Sequence, residues 1–169
     1  PVLNITEPTS KAQLDAVRDL MRAFIAWHRQ RHVKDLHLID AYFDADAFEH
    51  ELATLPGVYA PPTGRLLLAE FDGAVAGCVA LRAIDAECCE MKRMFVYPHW
   101  HGRGIGLALA QRLIEAARAG GYRAMRLDTS IRQAEAQNLY EGLGFKVIAP
   151  YHELSPEMRD WLVFMELRL

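Results

Sequence analysis

The sequence predicts a mixed α/β layer fold of the α+β kind: a mostly antiparallel sheet of six or seven strands flanked by about four helices. Three observations carry that expectation. Two apolar runs meet at Asp72-Gly73, a strong signal for a short hairpin turn. A strand, a glycine-rich turn and an amphipathic helix follow one another between Glu90 and Gly120. Strand-like and helical patterns then alternate to the C-terminus, with no repeat, linker or low-complexity stretch. At 169 residues the chain reads as one domain, residues 1–169, long enough to bury a core.

Taken in order, residues 2–6 alternate as a first strand, and Pro8-Thr9-Ser10 is a turn. Thr9 or Ser10 then caps a long helix whose apolar face is Leu14, Val17, Leu20, Met21, Phe24 and Ile25, with His28 at its margin. Residues 27–34 are basic and aromatic, which suits a helix C-terminus. Residues 35–51 reverse the sign, with Asp35, Asp40, Asp44, Asp46, Glu49 and Glu51 and no Lys or Arg. A second helix starts near Asp44 and buries Phe48, Leu52 and Leu55; a charge run of this kind is ordinarily a solvated face. Leu55-Pro56-Gly57 ends it, and Pro61-Pro62 hold the following loop extended. Strands over 65–71, 74–82 and 88–96 make an antiparallel meander. A helix over 104–119, a strand over 124–128, a helix over 132–143 capped by Gly144, and strands over 145–148 and 162–167 complete the chain.

Composition is that of an ordinary globular protein, 51% hydrophobic and 24% charged. A net charge of −3 suggests neither nucleic acid nor an anionic membrane as a bulk partner. No apolar run is long enough to span a bilayer and no secretory leader is read, so the cytoplasm is the expected location. The three cysteines, Cys78, Cys88 and Cys89, are odd in number and two are adjacent, which reads as reduced structural thiols.

Chemistry concentrates at His99-Trp100-His101-Gly102-Arg103-Gly104-Ile105-Gly106. Three alternate glycines between a strand and a helix N-terminus let the backbone turn sharply and leave several N–H groups unpaired at the positive end of the helix dipole. Such a turn binds phosphate. It lacks the last glycine of a dinucleotide fingerprint and the Gly-Lys-Ser/Thr of a Walker loop. From Lys92 to Arg132 eight Lys/Arg stand against two acids, which agrees with an anion. A ligand-free strand–helix connection is the other reading of the same geometry. His99 and His101 have no third ligand in view, so no metal is assigned.

The loop His101–Gly106 resembles the Arg/Gln-x-x-Gly-x-Gly/Ala pyrophosphate loop of the GNAT N-acetyltransferase superfamily. Ala136-Gln137-Asn138-Leu139-Tyr140-Glu141-Gly142-Leu143-Gly144-Phe145 resembles its Ala-x-x-x-Tyr-x-x-x-Gly-Phe segment. Leu55-Pro56-Gly57, Tyr59-Ala60-Pro61-Pro62, Leu127-Asp128-Thr129, Pro150-Tyr151 and Phe164-Met165-Glu166 extend the likeness, to a small bacterial branch, over nearly the whole chain. The resemblance implies an acetyl-CoA-dependent N-acetyltransferase acting on a primary amine of a small molecule or peptide by direct attack in a ternary complex.

It also implies roles for particular residues. Main-chain amides of His101, Gly102, Arg103, Gly104, Ile105 and Gly106 would hold the diphosphate, with His101 departing from the usual Arg or Gln. A splayed strand at Met94, Phe95 and Val96 would bond the pantetheine. Gln133 stands where relatives carry a coenzyme-contacting asparagine. Tyr140 would donate to the coenzyme sulfur as general acid. Glu90 is the candidate general base; an ion pair with Lys92 or an arginine is the alternative. Acids among residues 35–51 would guide a cationic amine. A non-catalytic acyl-CoA-binding regulatory module of the same fold is the competing function. The acceptor's identity, and whether the protein is a monomer or a homodimer, stay open.

Overall fold

The computed structural model describes residues 2–169. After β1 (Leu3–Thr6), Ser10 caps α1 (Lys11–Arg31): its hydroxyl accepts from the Gln13 amide while the Gln13 side chain accepts from the Ser10 amide. Two short helices follow where one is expected, α2 (Leu36–Tyr42) and α3 (Ala45–Ala53), the latter capped by Asp44. The meander is β2 (Arg65–Phe71), β3 (Ala74–Ala83) and β4 (Cys88–Val96). The glycine loop leads into α4 (Ile105–Ala119), then β5 (Ala124–Ser130), α5 (Ala134–Gly142) and β6 (Lys146–Ile148). A further short helix, α6 (Pro156–Trp161), precedes β7 (Leu162–Arg168).

The seven strands form one sheet in the order β1-β2-β3-β4-β5-β7-β6. Every pairing is antiparallel except β4 with β5. Both faces are covered, which is why β2 reads as an unbroken apolar run rather than an alternating one. Leu66 and Leu68 face Val17, Leu20, Phe48 and Leu52 of α1 and α3. Leu67 and Ala69 face Leu109, Leu113 and Ile114 of α4 on the other side.

The mixed fold and the mostly antiparallel sheet are as expected, with six helices rather than about four. The two unforeseen helices belong together. Leu38 and Ile39 of α2 meet Met158 and Trp161 of α6 in a third apolar cluster. Asp35 ties them, accepting from Trp161 Nε1 at 3.2 Å and from Arg132 Nε at 3.0 Å. Helices of seven and six residues are stabilised by such tertiary contacts, not by propensity, so their periodicity is too short to stand out.

Candidate active site

β4 holds β5 only over Cys88–Glu90 against Ala124–Arg126; beyond that point the two strands part. The cause lies on the other edge of β4. Phe95 faces Cys78 but Lys92 faces Ala80, so β4 carries one residue more than β3 across this stretch. Arg93 sits in that bulge with φ +60°, a left-handed conformation costing a non-glycine residue about 1–2 kcal/mol. Its side chain supplies the compensation. Two of its nitrogens donate to Glu51 at 2.8 Å each, and the guanidinium lies 5.1 Å from the Phe43 ring centroid. Burial acts downward on Arg93, but the bond to Glu51 outweighs it and holds the guanidinium well above its ordinary pKa; for Glu51 burial acts upward, but Arg93 outweighs it and holds the carboxyl below its ordinary value.

The parted strands open three cavities in series. The loop cavity, about 440 Å³, runs along Met94–Val96 and the glycine turn. Through Phe24, Met94, Gln133 and Leu139 it meets the cleft proper, about 100 Å³, which is lined by β4, β5 and Tyr140. Through Tyr42, Lys92, Arg93 and Asp128 the cleft meets an outer cavity of about 500 Å³, walled by Arg82, Glu90, Tyr151 and His152.

In the loop, Gly102 (φ +80°) and Gly104 (φ +75°) take left-handed conformations that only glycine adopts cheaply. Gly106 is different: its φ is ordinary and an added Cβ would sit 3.8 Å from Leu139. Among the described residues, no amide from Gly102 to Leu107 donates to a protein acceptor. The His101 ring bonds the Val96 carbonyl at 2.8 Å, tying the loop to β4 and engaging one of the expected pantetheine contacts. The Arg103 side chain is turned to packing. Its guanidinium stacks 5.4 Å from the Phe71 ring and 5.3 Å from Trp100, outside the loop cavity, leaving only its amide for an anion.

Of the other expected residues, Met94, Phe95 and Val96 all line the loop cavity. Phe95 is also buried, its ring stacked on Phe24. Gln133 borders both inner cavities, but its Oε1 is occupied by Thr129 Oγ1 (2.9 Å) and the Ser130 amide (3.1 Å). Tyr140 is buried with its ring on Phe145, and its hydroxyl makes no protein hydrogen bond among the described residues. Burial, then the Asp128 charge, hold it protonated far above neutral pH. Beside it, His28 Nδ1 and Ser130 Oγ of the cleft wall are buried without partners among the described residues.

Glu90 lies in the outer cavity, not the cleft. At 1% exposure it accepts from Arg82 Nε at 2.7 Å and from the Tyr151 hydroxyl. Burial pushes its pKa up, but Lys92, Tyr151 and Arg82 outweigh it and hold the carboxyl below its ordinary range. A carboxylate so placed is a weak proton acceptor, and its bond to Arg82 fits the ion-pair alternative to a general base.

Five of the six acids of residues 35–51 have other work. Asp35 pairs with Arg132, Asp40 with Arg29, Glu49 with Arg22 and Glu51 with Arg93, Asp44 caps α3, and none lines the cleft or outer cavity. The carboxylate that does face both is Asp128, which accepts from Tyr42 at 2.5 Å while Lys92 Nζ donates to the same hydroxyl at 3.0 Å. These three come from β5, α2 and β4, with no shared motif. The sequence signals were Leu127-Asp128-Thr129 within the family likeness and the charges Glu90 and Lys92 on one face of β4.

The model of the Acetyltransferase (GNAT) family matches residues 19–145. An uncharacterized N-acetyltransferase of Schizosaccharomyces pombe is 38% identical over 124 residues, 72% of this chain and 74% of that protein. The IAA acetyltransferase of Azospirillum brasilense is 38% identical over 134 residues, 78% of this chain and 83% of that protein. Among solved structures, the PaiA N-acetyltransferase of Thermoplasma acidophilum in complex with coenzyme A superposes with a TM-score of 0.74 over 100% of both chains. At 17% identity that likeness speaks for the fold alone.

Proposed function

The chain belongs to the GNAT acetyltransferase family, and from that premise we propose that it transfers an acetyl group from acetyl-CoA to a primary amine by direct attack in a ternary complex. One observation carries this reading: a passage through the parted sheet, with donors at one end, Tyr140 in the middle and a charged cavity at the other.

The residues fit the acetyl carrier. Free amides at Gly102–Leu107 suit a diphosphate, and the unpartnered Ser130 Oγ and His28 Nδ1 offer hydrogen bonds in the cleft that no protein group takes up. Acetyl-CoA supplies the activated acyl carbon and a thiolate leaving group. The β4 edge at Met94–Val96 presents main-chain groups along the path to the cleft. Tyr140, kept protonated, can give its proton to the leaving sulfur. Asp128 has one oxygen not engaged by Tyr42 and faces both cleft and outer cavity, so it takes the proton the amine must lose.

A thiol-release assay with acetyl-CoA over a panel of primary amines tests the proposal. Turnover is expected with at least one amine, and Tyr140→Phe should lower it by about a hundredfold with coenzyme affinity kept. The competing reading, an acyl-CoA-binding module without turnover, would be supported by coenzyme binding with no thiol release from any amine.

A further inference from the structure

The outer cavity carries more charge than the transfer needs, and the charges are ordered. Arg82 faces Glu90 across β3–β4 and Ala80 faces Lys92, so Arg82 and Lys92 are diagonal neighbours on one face of the sheet. Most of the local groups are already paired. Arg93 is spent on Glu51; both Glu90 oxygens are taken, by Arg82 Nε and by Tyr151. Three charged groups keep a free valence among the described residues. The terminal nitrogens of Arg82 have no acceptor, and Lys92 forms no ion pair, donating only to the Tyr42 hydroxyl. Asp128 keeps one free oxygen on the far side of that same hydroxyl.

Read outward, the order is a negative end at Asp128, then Lys92, then Arg82 at the outer wall. Asp128 and Lys92 border the cleft as well, whereas Arg82 lines the outer cavity alone. A ligand complementary to this row has its amine toward Asp128 and an anionic group behind it, toward Lys92 and Arg82. Partly buried cations with free donors facing a cavity favour a carboxylate, since an unpaired charge there is otherwise poorly solvated.

Resting on the acyl-transfer reading above, we propose that the acceptor is a free amino acid or a similar amino-carboxylate, its carboxylate held by Lys92 and Arg82 and its amine presented to the cleft beside Asp128. A simple cationic amine would leave Lys92 and Arg82 facing it with like charge.

Matched substrate pairs test this: free amino acids against their carboxamides and against the amines they give on decarboxylation, in the thiol-release assay. The free acids should be used at least tenfold more efficiently in kcat/KM. Lys92→Met should raise KM for the acids about tenfold and raise kcat/KM for the decarboxylated amines, which no longer meet its charge, a split that misfolding could not produce. Arg82→Lys, which keeps a cation beside buried Glu90, should lower acid efficiency less. Equal or better use of amides and decarboxylated amines would overturn the acceptor class and leave acetyl transfer standing. No turnover with any amine, despite coenzyme binding, would remove both.

Discussion

The two ends of the passage are built by opposite means. At the loop cavity the groups offered to a ligand belong to the main chain: amides from Gly102 to Leu107 and the open edge of β4. The side chains there are turned to structure, His101 onto the Val96 carbonyl and Arg103 onto Phe71 and Trp100. At the outer cavity the roles invert. Main chain is consumed by the β3–β4 ladder, and what faces the ligand is Arg82, Lys92, Asp128 and two tyrosines contributed by α2 and the segment before α6. A carrier common to many relatives can be gripped through backbone that any sequence supplies; an acceptor particular to one protein needs side chains. Arg93, in the bulge between the two ends, lets one strand serve both.

The largest effect should come from that joint. Removing one partner of a buried ion pair costs about 3–5 kcal/mol, so Glu51→Ala should lower the melting temperature by roughly 6–20 °C for a chain of this length. Calorimetry checks it. A loss under about 2 °C would mean the bulge stands without the pair.

Next in size is a contrast within the loop. Gly104→Ala places a side chain at φ +75° and should cost about 1–2 kcal/mol together with coenzyme affinity. Gly106→Ala has room for its methyl and should leave stability within about 0.5 kcal/mol. Equal losses at the two positions would show that the loop demands glycine for reasons other than backbone conformation.

The outer end should also betray itself in acid. Glu90 has a folded pKa below its unfolded value near 4.5, so its contribution is full above that pH and is lost as pH falls through the folded value. Melting temperature should therefore drop below about pH 4.5, and Arg82→Gln should make that acid dependence shallower by weakening the hold on Glu90. An unchanged slope in the variant would remove Arg82 from the account of Glu90. The smallest effect belongs to His101→Gln, which can keep a bond to Val96 and should change coenzyme affinity less than about threefold by titration calorimetry.

The same contrast explains what could be read before the fold was known. Gly102, Gly104 and Tyr140 lie in contiguous motifs, so the loop and the centre of the cleft were legible along the chain, as were the seven strands and a cap at Thr9 or Ser10. Tyr42, Lys92, Asp128 and Tyr151 come from four elements and carry no spacing rule. Their meeting depends on where β4 and β5 part, and only the register shift beside Arg93 reveals that point. The acid run of residues 35–51 misled for a related reason. Its carboxylates look free in sequence, yet Arg22, Arg29, Arg93 and Arg132 reach them from other elements. Gly106 belongs to the glycine pattern without needing a glycine conformation.

Backbone recognition of the carrier can be watched directly by amide hydrogen exchange with and without acetyl-CoA. The account predicts that the coenzyme slows exchange at Gly102–Leu107 and along Met94–Val96, while the segment from Tyr151 to Leu154 keeps its rate until an acceptor is added. Unchanged exchange in the loop on saturation with coenzyme, with protection appearing at the outer cavity instead, would contradict it.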